Sequence, residues 1–217
     1  MNIAVLGTGM VGEALGTRLV ELGHQVTMGS RSAQNEKAVA WAQKTGAGAQ
    51  AATFADAIWN AEVVFVATKG ETGLDALGAA GPEAVQGKTV IDVANPLDFS
   101  NGMPPTLSVS NTDSLGEKLQ RAFPEARIVK SLNTMWCGLM VNPAQLAGGD
   151  HHVFVSGNDA DAKAQTKDLL RQFGWRDEAI IDLGDITTAR GTEMLLPLWL
   201  RIWGATSTGA FNFKVVK

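Results

Sequence analysis

The chain has no tyrosine, and that absence removes the Tyr and Lys proton-donor pair on which short-chain dehydrogenases depend. Cysteine is almost as rare. Cys137 stands alone, so neither an internal disulfide nor a thiolate zinc cluster can form within one chain, and the expected compartment is the cytoplasm. Of the three histidines, His24 sits at a strand start, and His151 and His152 would point to opposite faces of another strand. No metal is expected. Long apolar runs are missing as well. The stretch 194–203 is broken by Pro197 and Arg201 and reaches about half of the ~20 residues that a membrane span needs. Residues 1–7 have no basic flank and meet glycine before a signal-type apolar core can develop. A formal charge of -4 gives no broad basic footprint for nucleic acid or an anionic membrane. Any bound phosphate must therefore be gripped locally.

A length of 217 residues suits one doubly wound α/β domain with a short extension and is too short for two full enzyme domains. The expected division is a dinucleotide-binding core over 1–135, with a sheet extension and a C-terminal helical tail over 136–217. In the core, short apolar runs alternate with amphipathic segments, the pattern of parallel strands joined by crossover helices. Strands are predicted at 3–6, 24–28, 62–67, 89–93 and 127–132, with a weak one at 49–52. Between the first two, Val11, Leu15, Leu19 and Leu22 recur at helical spacing and Gly23 takes the place of a left-handed cap. Thr53 and Asp56 form a capping-box-like helix start, and 114–123 reads as a helix stopped by Pro124. Further on, strands are predicted at 151–156 and 179–183, around a helix at 159–173. The tail from 187 onward carries Trp199, Trp203, Phe211 and Phe213, too much apolar surface for a free terminus.

Gly7-Thr8-Gly9-Met10-Val11-Gly12 lies between the first strand and the first helix, the context in which Gly-x-Gly-x-x-Gly signifies a dinucleotide. Gly7 permits the turn, Gly9 lets the backbone approach a pyrophosphate, and Gly12 lets helix and strand close up, while amides at the helix start face the anion. This makes the fold class a Rossmann-type, mostly parallel α/β sheet. An NAD protein would normally end its second strand with Asp or Glu; here Gly29-Ser30-Arg31 replaces it. No carboxylate repels a 2′-phosphate and Arg31 suits one, so the expected cofactor is NADP(H).

Ligands of such sheets lie beyond the carboxyl ends of the strands. That directs attention to Thr68 and Lys69, to Asn95 and Pro96, and to Lys130, Asn133 and Thr134. Thr68, Asn95, Asn133 and Thr134 offer polar groups for ribose, carboxamide or acceptor; Lys69 and Lys130 could donate a proton to a carbonyl. No residue identifies itself as the catalytic acid or base. The Pro-, Ser- and Asn-rich stretch 95–111 is longer than a plain connection and reads as a lid. With Trp199 and Trp203 it would wall an apolar slot beside the nicotinamide. The same tryptophans also suit a dimer interface, and a homodimer is expected.

Gly7-Thr8-Gly9 with Gly29-Ser30-Arg31, Asp92-Val93-Ala94-Asn95-Pro96-Leu97, and the late run from Asp185 to Gly191 together resemble the coenzyme F420-dependent NADP oxidoreductase family, bacterial branch, over nearly the whole chain. The resemblance implies that Thr8, Ser30 and Arg31 hold the 2′-phosphate. It also implies that a deazaflavin stacks on the nicotinamide and takes the hydride directly, which dispenses with a catalytic acid. Asn133-Thr134 stands where archaeal members carry His-Thr. The soluble part of the six-transmembrane metalloreductases, which passes hydride to a flavin, looks similar too. The expected function is hydride transfer between NADPH and coenzyme F420 or a flavin-like, small-molecule acceptor. Two alternatives stay open at this point: an NADPH-dependent carbonyl or imine reductase, and a non-catalytic module that senses NADPH.

Overall fold

The structure, a computed structural model, describes residues 1–70 and 72–217. Its first half runs β1 (Asn2–Leu6), α1 (Met10–Glu21), β2 (Gln25–Ser30), α2 (Glu36–Thr45), β3 (Ala49–Thr53), α3 (Phe54–Trp59), β4 (Val63–Val66), α4 (Thr72–Gly78), α5 (Pro82–Val85) and β5 (Thr89–Asp92). Then come a small hairpin, β6 (Leu97–Asp98) and β7 (Thr106–Leu107), followed by α6 (Leu115–Ala122), β8 (Arg127–Ser131) and α7 (Cys137–Val141). The chain continues with β9 (Val153–Gly157), α8 (Ala160–Phe173), β10 (Ile180–Gly184), α9 (Ala189–Met194) and α10 (Leu196–Thr206).

Eight strands form one sheet in the order β10-β9-β8-β5-β4-β1-β2-β3. All neighbours pair in parallel except β8 with β9. The six strands from β3 to β8 reproduce the Rossmann order, in which the direction of winding reverses between β1 and β4. Because crossover helices cover both faces, the central strands are apolar throughout instead of alternating with polar residues. In β1, Ile3 and Val5 join the core cluster that includes Leu15, Trp41 and Phe173. Ala4 and Leu6 join the cluster on the other face, with Ile58, Leu77 and Leu119. The same alternation in β4 sends Val63 and Phe65 one way and Val64 and Val66 the other.

The capping signals work as expected. The Thr53 hydroxyl accepts from Asp56 N at 3.1 Å, Ser114 accepts from Glu117 N at 3.1 Å, and Gly23 ends the first helical turn sequence at φ +87°. Four helices (α2, α4, α5 and α7) lack a readable pattern because they are short or alanine-rich. The predicted strand 24–28 lies two residues later at its C-terminal end, at Gln25–Ser30, and 151–156 begins at Val153. His151 and His152 therefore precede β9. The segment 95–111 is not a plain loop, since Leu97 pairs with Leu107 and Asp98 with Thr106.

Candidate functional site

The switch point between β1 and β4 brings two loops into contact. Gly7 has φ +123°, and a Cβ there would lie 2.5 Å from the Ala67 carbonyl oxygen just past β4. A Cβ on Gly12 would overlap the Gly7 carbonyl oxygen itself, so strand, turn and α1 can close up only with glycine at both places. Gly9 is the N-cap of α1, where no side chain accepts from the first amides. A Cβ on Gly9 would meet nothing within 4 Å. The start of α1 thus presents backbone N–H groups to open space, the arrangement that binds anions.

Beside this turn lies a cavity of about 420 Å³. Gly7, Thr8 and Gly9 form one wall, Ser30 and Arg31 a second, and Ala67, Thr68 and Lys69 a third. Ser30 is buried, and its hydroxyl donates to Ser32 O at 2.6 Å, which fixes the corner after β2. Arg31 is exposed. Three cations, Arg31, Lys37 and Lys69, line this space, and among the described residues no carboxylate does. Among the described residues none of the three side chains has an ion-pair partner. Sequence reading missed Lys37, along with Asn35, Phe54 and Thr72 on the same lining. The available signal was Asn35, whose side chain accepts from Ala38 N at 3.1 Å and starts α2, placing Lys37 in its first turn.

A larger cavity of about 790 Å³ shares Ala67, Thr68, Lys69 and Thr72 with the first. Its other walls are mostly apolar: Met10 and Val11 from α1, Val93 and Ala94 after β5, and Leu97 and Phe99 from the hairpin. Met10 and Phe99 are 76% and 54% exposed, so apolar surface is left uncovered where the cavity opens. Thr68 lies on both linings, and its hydroxyl is buried without a partner among the described residues; such groups are rare in the absence of a ligand or water. Among the described residues Asp98 is the one carboxylate on this lining. Hydrogen bonding from Ser100 holds its pKa below the usual carboxylate value, so it stays ionised.

Asn95 lies on the lining, and its side chain is locked from behind. Its Nδ2 donates to Asn133 O at 2.8 Å, and Asn133 Nδ2 donates to Asn95 Oδ1 at 2.9 Å. Leu132 makes this possible by adopting φ +63° directly after β8, a strained conformation for a branched side chain. Asn133 and Thr134 are buried and line neither cavity. Pro96 also lies off both linings, its carbonyl accepting from Ser108 N at 2.8 Å. Gly12 is a packing residue of the turn.

Two expectations need correction. Lys130 does not face ligand. It is 1% exposed, with Nζ 2.8 Å from Asp92 Oδ2, 2.8 Å from Glu193 Oε1 and 2.6 Å from Ala94 O. Burial works against its charge, but the two adjacent carboxylates hold its pKa up, and its three protons are directed to Asp92, Glu193 and the Ala94 carbonyl, away from both cavities. Nor do Trp199 and Trp203 wall the slot. Trp199 stacks on Phe211 at 5.1 Å, Trp203 is 42% exposed on α10, and the end of the chain lies along His151 and His152.

The sequence profile of the family described as "NADP oxidoreductase coenzyme F420-dependent" matches residues 2–96. An F420-dependent NADP reductase from Methanothermobacter marburgensis is 30% identical over 215 residues, covering 93% of this chain and 92% of that protein. Metalloreductase STEAP3 from Rattus norvegicus is 29% identical over 204 residues, covering 91% of this chain; the chain spans 38% of that relative's length. A crystal structure of a candidate F420-dependent NADP reductase from Arthrobacter sp. FB24 superposes with a TM-score of 0.95, at 55% identity and with both chains fully covered. Every helix of this chain that is described falls short of the length and apolarity needed to cross a membrane. A glycine turn opening onto a basic cavity, an apolar cavity beside it, and these full-length likenesses agree: the chain belongs to the F420-dependent NADP oxidoreductase family.

Proposed function

We propose that this protein transfers hydride between NADP(H) and a planar deazaflavin, coenzyme F420, or a flavin-like acceptor. The observation that carries the cofactor half is the lining of the 420 Å³ cavity, which among the described residues has three cations, no carboxylate and an uncapped helix start. In this reading the amides after Gly7, Thr8 and Gly9 receive the diphosphate, and Ser30, Arg31 and Lys37 receive the 2′-phosphate. Charge-assisted hydrogen bonds of this kind are worth roughly 1.5–3 kcal/mol each. Lys69 and Thr68 stand where the two cavities meet and hold the nicotinamide ribose.

The nicotinamide, when bound, supplies or receives the hydride. Met10, Val11 and Phe99 exclude water from the ring faces, and Ala94 with Asn95 forms the opposite edge. Asp98 is held below the usual carboxylate pKa and is not the proton donor; the proton that accompanies hydride in reducing the acceptor comes from solvent or from Lys69. An acceptor whose ring takes hydride without protein acid catalysis fits these walls, in which positioning does the work. We also propose that the protein is a cytoplasmic homodimer built on a single domain, with exposed Leu198 and Trp203 on α10 facing a second copy; a monomer in sedimentation analysis contradicts the dimer.

The test is anaerobic NADPH oxidation by the purified protein with a panel of deazaflavin, FMN, FAD, carbonyls and imines. Turnover with the deazaflavin or a flavin is expected. Turnover confined to carbonyls or imines overturns the acceptor, and tight NADPH binding without turnover on any acceptor overturns the enzyme.

A further inference from the structure

Three charged side chains are buried together where the larger cavity meets the core. Asp92, Lys130 and Glu193 are each 1% exposed or less. Two carboxylates face one ammonium, and burying charges at this depth is unfavourable unless they are paired and hydrogen-bonded. Each oxygen of both carboxylates accepts at least one hydrogen bond. Lys130 spends its three donors on Asp92, Glu193 and the Ala94 carbonyl. Glu193 accepts from Leu115 N at 2.8 Å and Gly116 N at 3.1 Å, at the positive end of α6. The remaining oxygen of Asp92 accepts from Ala94 N at 2.9 Å. Both backbone polar groups of Ala94 are thus held by this cluster, and Ala94 lies between Val93 and Asn95 on the cavity wall.

A core that merely needed filling would use apolar residues here, since well-packed replacements of buried ion pairs are often neutral or stabilising. What the charges add is direction. We propose that Lys130 is a positioning residue: clamped by Asp92 and Glu193, it orients the Ala94–Asn95 peptide that forms the nicotinamide edge of the larger cavity, and ties that edge to α9. The proposal rests on the reading that NADP(H) spans the two cavities. Neither cavity is lined by the three charges themselves; their direct contact with the wall is through the N–H and carbonyl of Ala94. The phosphate-binding turn, on the far side of β4 in the sheet order, is independent of them.

The experiment compares wild type with Lys130→Met and with Glu193→Gln, the milder change that keeps shape and one acceptor. Two probes are titrated: 2′,5′-ADP, which reaches only the basic cavity, and NADPH, whose nicotinamide emission reports its surroundings. Both variants are expected to bind 2′,5′-ADP within about threefold of wild type. Their bound NADPH should show nicotinamide emission shifted back toward that of free NADPH, with Lys130→Met more affected. Unchanged emission in a folded variant overturns the proposal, as does an equal loss of both probes, which marks a purely structural role. Should Lys130→Met fail to fold, Glu193→Gln alone decides between these outcomes. A wild-type protein that binds neither probe is a different failure: it removes the NADP(H) reading and the positioning role with it.

Discussion

The two cavities share one wall and are built on opposite principles. The smaller is made of backbone and free charge: a glycine turn, an uncapped helix start, and Arg31, Lys37 and Lys69 without partners. The larger is made mostly of apolar side chains, with Lys69 and Asp98 on its lining, and a separate charged group, Lys130 between Asp92 and Glu193, is buried behind it. Phosphate needs donors that are available, so its site leaves them unpaired at the surface, where water keeps them solvated at little cost. A ring needs a fixed edge and a dry face, so most of this wall is apolar and Asn95 is held from behind by Asn133. The difference teaches that recognition and positioning here are separable functions, and substitutions should affect them separately.

The largest effect should come from the glycine that packs α1 against the turn, since α1 and the turn contribute to both linings. Gly12→Val drives a side chain into the Gly7 carbonyl, separating α1 from the turn and moving Met10 and Val11 with it. A loss of about 3 kcal/mol in stability is expected, with NADPH binding abolished, read by thermal melting and calorimetry. Preserved binding would mean the turn does not carry the cofactor. Next, Arg31→Ala should weaken NADPH by about 10- to 100-fold, the ~1.5–3 kcal/mol of a charge-assisted hydrogen bond, while leaving NADH unaltered. Equal losses for both nucleotides would erase the distinction drawn above.

Asn133→Ala acts on the other cavity alone. It removes the bond from Asn133 Nδ2 to Asn95 Oδ1 and keeps the backbone carbonyl to which Asn95 Nδ2 donates. Hydride transfer is expected to slow about tenfold with NADPH affinity within about threefold, consistent with ~1 kcal/mol per hydrogen bond. Pre-steady-state kinetics separate the two, and a loss confined to affinity would contradict the division of labour. The smallest effect lies away from both cavities. Burial holds the His152 pKa below its ordinary value, and His152 Nδ1 accepts from Val215 N at 3.0 Å, which requires the neutral ring. Its contribution is present above the ordinary histidine range near pH 6.5 and lost as pH falls through the lowered folded value. Melting temperature should decline slightly on acidification, and His152→Gln should remove that part of the slope with NADPH affinity unaffected.

Much of the smaller cavity was legible in the sequence, because its function belongs to local features. A glycine turn acts through its own backbone, and Arg31 follows β2 directly. Lys37 escaped notice since α2, with three alanines among its ten residues, shows no clear apolar stripe. The larger cavity was legible as a set of residues but not as an arrangement. Asn95 and Asn133 were singled out separately, and their pairing depends on the left-handed turn at Leu132, for which a leucine gives no warning. Lys130 was misassigned for a related reason. A lysine near a strand end looks solvated until its partners are known, and Glu193 arrives from a helix far along the chain. The hairpin of β6 and β7 rests on two residue pairs, too few for an alternating pattern. The tail was readable as apolar surface seeking cover, yet part of that cover is its own stacking of Trp199 on Phe211.

The most direct test of the account is a crystal structure of the protein with NADP+ bound. The predicted result places the 2′-phosphate within hydrogen-bonding distance of Arg31 and Ser30, the diphosphate over the amides that follow Gly9, and the nicotinamide against Ala94 and Asn95 in the larger cavity. A nucleotide bound elsewhere, or one lying in this groove with its 2′-phosphate turned away from Arg31, would contradict it.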